Sequence, residues 1–169
     1  MRLLLVQHGE AVSDAVDPRK PLSPAGERDV RALAAACRLY KLRARDIIHS
    51  GILRAEQTAE ILGEALSLPV RAVAGLDPLD PVKPVAHDCE ELTEDRIIVG
   101  HMPFLGRLVT LLLADREDPT AVAFQRGGMI CLEKGSPREW CLLWTCFPRQ
   151  PAPGAPDHAN PADRTHRGG

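Results

Sequence analysis

The sequence predicts an α/β fold of three layers, a mainly parallel sheet covered by helices on both faces. Three observations predict it. Residues 2–7, 46–50 and 96–100 are short apolar runs, the pattern of strands buried on both sides. Each run is followed by a stretch with apolar residues at helical spacing. Each run also ends in polar side chains, and parallel sheets place ligands beyond the carboxyl ends of their strands.

The elements follow in order. Residues 2–7 form the first strand, with His8-Gly9-Glu10 at its end. Residues 11–22 read as a loop, marked by Asp17-Pro18 and Lys20-Pro21. Ser23-Pro24 is a helix start, an N-cap hydroxyl followed by proline at the first helical position. Val30, Leu33, Ala34, Cys37 and Leu39 carry that helix to about Tyr40. Asp46 to Ser50 is a second strand, and Ala55, Ala59, Leu62 and Leu66 define a helix over Arg54–Leu66. Residues 68–73 are a candidate third strand. Pro78, Pro81 and Pro84 predict an irregular loop over 75–87, with a short helix or turn at 88–94. Residues 96–100 are a buried strand with His101 at its end, and 103–114 are helical through Leu105, Leu108, Val109 and Leu112. Strands near 129–133 and 139–147 close the domain, beside turns at Gly127-Gly128 and Gly135-Ser136-Pro137.

The 169 residues fit one domain over 1–150 and a tail over 151–169. The tail holds Pro, Gly, Ala and charge without a large aliphatic side chain, so it is expected to be disordered. Hydrophobic residues make up 44% and aromatics only 4%, so the core must be aliphatic. A net charge of -2 gives no reason to expect nucleic acid or an anionic membrane as partner. No run approaches the roughly 20 apolar residues of a membrane span. The apolar N-terminal run is too short for a signal peptide and lacks a small-residue cleavage site, which predicts a cytoplasmic protein. Cys37, Cys89, Cys131, Cys141 and Cys146 show no paired spacing and read as reduced core thiols. Metal ligation by Cys141 and Cys146 is the weaker alternative, since no His pair lies near them in sequence.

Parallel strands bring His8, Arg54 and His101 to one edge of the sheet. Taken singly, each has a bland reading: a structural or solvated histidine, or a surface arginine paired with a carboxylate. Together they suit phosphate. A neutral imidazole attacks phosphorus and carries the phosphoryl group. A guanidinium binds two phosphate oxygens through its planar fork. A protonated His101 would add a second cationic donor, and Gly9 would let the backbone approach the oxyanion. His49, His87, His158 and His166 carry no such signal, and Glu56 and Glu60 read as a solvated helix face.

Four motifs in order carry a resemblance. Leu3-Leu4-Leu5-Val6-Gln7-His8-Gly9-Glu10-Ala11 resembles the signature of the histidine phosphatase superfamily, whose usual form is Arg-His-Gly. Pro21-Leu22-Ser23-Pro24-Ala25-Gly26 is similar to its Leu-Ser/Thr-x-x-Gly turn. Ser50-Gly51-Ile52-Leu53-Arg54-Ala55-Glu56-Gln57-Thr58-Ala59 resembles its Ser-Pro-x-x-Arg-Ala-x-Gln-Thr-Ala block. Val99-Gly100-His101-Met102-Pro103 resembles Gly-His-x-Pro. The resemblance covers residues 1 to about 147, and the small size points to the SixA-like phosphohistidine phosphatases. It implies His8 as phosphoryl acceptor, phosphate binding by Arg54, His101 and position 7, and no metal or organic cofactor.

Two departures matter. Gln7 stands where the family usually has Arg; it donates hydrogen bonds but brings no charge. Mutase and acid-phosphatase relatives carry a Glu general acid in an insert for which residues 55–100 leave little room. Asp77 and Asp80 are the nearest candidate acids, and equally read as turn carboxylates beside proline. An alkoxide leaving group needs a proton. The imidazole leaving from phosphohistidine, with a free pKa of about 6.5, needs no dedicated acid near neutral pH. The expected activity is therefore hydrolysis of phosphohistidine on a signalling or phosphotransfer protein. The alternatives are a non-catalytic phosphoprotein-binding module and a small-molecule phosphatase.

Overall fold

Leu3, Leu4, Leu5 and Val6 have no exposed surface, and their alternation divides the interior into two cores. They belong to β1 (Arg2–Gln7), a central strand of a six-stranded sheet. The computed structural model describes residues 1–118, 121–135 and 139–148. The expected tail, 151–169, and the Ser136-Pro137 turn lie outside the described residues.

Along the chain, β1 is followed by α1 (Pro24–Leu39), β2 (Ile47–His49), α2 (Leu53–Leu66), β3 (Val70–Ala72) and α3 (Lys83–Glu90). Then come β4 (Arg96–Gly100), α4 (Phe104–Ala114), β5 (Met129–Lys134) and β6 (Trp140–Cys146). The strand order is β3-β2-β4-β1-β5-β6. The first four strands of the chain run parallel; β5 is antiparallel to β1 and to β6. Leu4 and Val6 pack with Val30 and Leu33 of α1 and with Ala55, Ala59 and Leu62 of α2. Leu3 and Leu5 pack on the other face with Ala86 and Cys89 of α3 and with Phe104, Leu105 and Leu108 of α4. This is the expected three-layer α/β arrangement. Among the described residues no helix is long and apolar enough to cross a membrane.

Three expectations need correction. The Pro-rich segment is not irregular to residue 87: α3 starts at Lys83, earlier than the short element expected at 88–94. Pro84 sits in its first turn, where the missing N–H breaks no hydrogen bond. Val82, Ala86 and Cys89 then form the buried stripe. Leu39 is 78% exposed, because the stripe of Val30, Leu33, Ala34 and Cys37 has rotated past it. Cys141 is also exposed, on the edge strand β6, while Cys37, Cys89 and Cys131 are core thiols; all five cysteines are free.

The edge of the sheet where the parallel strands begin is held by ion pairs. The Asp46 carboxylate, buried before β2, accepts from Arg96 Nε at 2.7 Å and Nη2 at 2.9 Å, and from Arg71 Nη2 at 3.3 Å. These pairs hold its carboxyl below the usual range against the opposing effect of burial. The Arg2 side chain donates to Asp95 through Nε at 2.8 Å, and the Arg2 backbone N–H does so at 2.6 Å.

At the opposite edge, α1 meets the loop after β1 with no space to spare. A Cβ on Gly26 would lie 2.1 Å from the Glu10 carbonyl oxygen, a backbone atom. One on Gly9 would lie 2.8 Å from Val30 Cγ2 and 2.9 Å from the Gly26 oxygen. Ser23 caps the helix by accepting from Gly26 N at 3.0 Å, and its own N–H donates to Glu10 O at 2.8 Å. Gly26→Ala is therefore expected to cost about 2 kcal/mol of unfolding free energy in urea melts. An unchanged value would show that α1 can withdraw from the loop freely.

Candidate active site

Register delivers the site. Val6 and Gln7 of β1 lie beside Val99 and Gly100 of β4, and His49 of β2 lies beside Val99 from the other side. His8, Ser50 and His101 therefore emerge together. The backbone fixes the first of them, with His8 N donating to Gly100 O at 3.1 Å. Arg54 arrives from the first turn of α2. The rings of His8 and His101 are 5.0 Å apart, tilted by 54°.

The hydrogen bonds define the state of His8. Its Nδ1 lies 2.7 Å from the Gly9 carbonyl, an acceptor only, so Nδ1 carries the proton. Its Nε2 accepts from Arg54 Nε at 3.1 Å, so the lone pair lies on that nitrogen. Burial lowers the His8 pKa to about 4, aided by the Arg54 and Arg126 charges and opposed by the Gly9 carbonyl. Burial, with His8 and Arg54 adding to it, lowers that of His101 to about 3. Both rings are neutral near pH 7, so His101 does not meet the condition, a protonated ring, under which it would act as a second cation. Its Nε2 is 2.7 Å from Ser50 Oγ, and its Nδ1 is buried with no partner among the described residues.

A cavity of about 590 Å3 opens over these groups, lined among others by Gln7, His8, Arg54, His101 and Met102. Gly9 is placed otherwise than expected. Its N–H is taken by Thr58 Oγ1 at 3.1 Å, and its Cα faces α1 rather than the cavity. Thr58 in turn donates to the Arg54 carbonyl at 2.7 Å, coupling the two motifs through one buried hydroxyl. Gln57 performs a similar service, accepting from Leu22 N at 2.7 Å.

Asp77 and Asp80 form a turn, with Asp77 N donating to Asp80 Oδ2 at 2.8 Å, and neither lines the cavity. Among the described residues the lining carboxylate is Asp14. It pairs with Lys20 at 3.3 Å, and that lysine holds its carboxyl below the ordinary range, so it is anionic at neutral pH. Sequence reasoning missed Asp14, Lys20 and Arg126, which all lie on loops without a periodic signal. His49 stays structural, accepting from Gly51 N at 3.1 Å. Among the described residues no group of three or more His, Cys, Asp or Glu is placed to hold a metal ion.

The fold and the two facing histidines define a class. The family model of the histidine phosphatase superfamily (branch 1) matches residues 3–96, and the chain belongs to that superfamily. That membership supports a phosphatase activity. Over 126 residues the chain is 31% identical to phosphohistidine phosphatase SixA of Escherichia coli (strain K12), covering 70% of this chain and 78% of the relative. A structure of the protein histidine phosphatase SixA complexed with tungstate matches with a TM-score of 0.79 at 26% identity, over 88% of this chain and 97% of that one. A mycobacterial glucosyl-3-phosphoglycerate phosphatase in complex with VO3 shares the fold, with a TM-score of 0.66 at 18% identity, over 85% of this chain and 98% of the other.

The electrostatics lead to a measurable outcome. A nitrogen-15 NMR titration should show His8 as the Nδ1–H tautomer at pH 7, gaining its second proton near pH 4. Because this folded pKa lies below the ordinary 6.5, the unfolded chain binds the proton first. The stability that His8 contributes as a neutral ring is complete above 6.5 and lost as pH falls toward 4. Protonation of His8 above pH 6 would overturn this account.

Proposed function

We propose that the chain hydrolyses phosphohistidine on a protein, through a covalent phosphoryl intermediate on His8 Nε2. One observation carries the reading: a neutral histidine whose Nε2 lone pair meets a guanidinium, in a cavity whose lining carboxylate is already ionised.

In the first step the His8 Nε2 lone pair attacks phosphorus while the substrate's P–N bond breaks. The substrate ring enters protonated on its other nitrogen, so the bonding pair stays on the departing nitrogen and a neutral imidazole leaves without an acid from the enzyme. Arg54 stays protonated and redirects the hydrogen bond of its Nε–H from His8 Nε2 to the phosphoryl oxygens, and Gln7 adds neutral donors. His101 Nδ1, buried without a partner among the described residues, would donate to the same oxygens while Ser50 holds the opposite nitrogen. In the second step water attacks phosphorus and the P–N bond to His8 breaks. His8 recovers its lone pair, and the proton of water leaves with phosphate and solvent. Donors arranged in advance around the equatorial oxygens lower both barriers. The SixA relative, and a cavity whose lining carboxylate among the described residues is ionised, support a phosphoramidate over a phosphate ester.

A protein substrate fits the rim. Val16, 75% exposed, belongs to the same loop as Ser13 and Asp14, which line the cavity. Such side chains give a carrier protein contacts beyond the phosphoryl group, and remote contacts position it for attack.

Rapid quench with labelled phosphohistidine carrier protein should trap an acid-labile, base-stable adduct that His8→Ala abolishes. An adduct surviving that substitution would exclude His8 as acceptor. Binding without turnover would instead mark a phosphoprotein-binding module. Equal specificity constants on the carrier protein, free phosphohistidine and a sugar phosphate would mark a small-molecule phosphatase.

A further inference from the structure

We propose that Arg126 supplies the second guanidinium that grips the phosphoryl group, the charge that Gln7 does not bring. This deepens the reading of the His8 cavity as a phosphoryl site and rests on it.

Arg126 lines the same cavity as His8, Arg54 and His101. It sits in the turn before β5, and that turn is fastened to the backbone of the nucleophile. Gly127 N donates to the carbonyls of both Gln7, at 3.0 Å, and His8, at 3.1 Å. Gln7 N donates to Gly128 O at 3.2 Å. Gly127 has φ +71, a left-handed conformation that glycine adopts without strain and that lets the turn double back onto β1. Arg126 is thus attached one residue from a clamp on His8 itself.

The charge balance then asks for an anion. The Lys20 ammonium lining the cavity is matched by Asp14. Among the described residues neither Arg54 nor Arg126 forms an ion pair with a carboxylate. Arg126 is near enough to add its repulsion to the burial that lowers the Arg54 pKa, and it also acts on His8. Two like charges facing one cavity without a counter-ion oppose each other. A phosphoryl group carries close to two negative charges and offers several acceptor oxygens, so it relieves that repulsion and takes a fork from each side. Both forks would strengthen as charge spreads over the equatorial oxygens, so Arg126 acts on transfer as well as on binding.

The test uses inorganic phosphate and tungstate as probes, with affinities measured by calorimetry on the full chain. Arg126 is exposed, and thermal melts of each variant confirm folding. Arg126→Ala should weaken binding of both anions roughly ten- to a hundredfold, with Arg126→Lys in between. Gln7→Arg should strengthen binding more in the Arg126→Ala background than in the parent, because the two guanidinia would serve one anion. Additive effects, or an affinity within about twofold of the parent in Arg126→Ala while Arg54→Ala loses binding, would overturn the proposal and leave the phosphoryl site standing. Unchanged affinity in both Arg54→Ala and Arg126→Ala would overturn the phosphoryl site as well. Because the probes need no turnover, this outcome is separate from whether His8 forms an adduct.

Discussion

The Nδ1 proton of His8 is committed to the carbonyl of Gly9 at 2.7 Å, and most of the site's geometry serves that bond. It leaves the lone pair on the other nitrogen, where Arg54 meets it. The carbonyl stays in place because Gly9 is gripped from two directions. Thr58 accepts from its N–H, and α1 closes to within a methyl group of its Cα. Replacing the glycine would force the helix away, and the acceptor would move with the loop. Thr58 thus helps to fix a proton's position on the His8 ring through the backbone of Gly9.

Burial completes what the hydrogen bonds begin. A histidine in water shares its time between charged and neutral forms near neutral pH, and only the neutral form is a nucleophile. Enclosing His8 and His101 together lowers both pKa values, to about 4 and about 3. The rings wait uncharged beside fixed positive charge, and an incoming anion is what that field lacks. A hydrogen bond on each ring, to Gly9 or to Ser50, offsets part of the cost of enclosure.

The parts of this arrangement differed in how far they could be read from the sequence. Strands β1 and β4 were legible because a strand buried on both faces is written as an unbroken apolar run, and their ends placed His8 and His101. The stripe of α2 likewise carried Arg54 to the right edge. Arg126 was not legible. Its role depends on β5 joining the sheet beside β1 and running antiparallel to it, and no local pattern encodes which strand becomes a neighbour. Asp14 and Lys20 were hidden for the same reason, as loop residues that meet only after the chain folds back. The start of α3 was misread because Pro84 counts as a breaker inside a helix but not in its first turn. The Gly9 motif was recognised, yet the purpose expected for it, room for an oxyanion, differs from what the structure gives it, room for a helix.

The two ends of the sheet use charge in opposite ways. Where the parallel strands begin, Asp46 meets Arg96 and Arg71, and Asp95 meets Arg2, so charge is neutralised within the protein. Where they end, Arg54 and Arg126 line the cavity and, among the described residues, form no ion pair with a carboxylate. β1 and β4, six and five residues long, hold the two regions apart, with buried aliphatic side chains between them. Electrostatic influence across that distance is weak once solvent and salt screen it. Internal charge pairing and substrate-facing charge therefore occupy separate territory in this small domain. A lineage carrying such a fold can retune the ion pairs that fasten one rim without disturbing the charges that choose a substrate at the other.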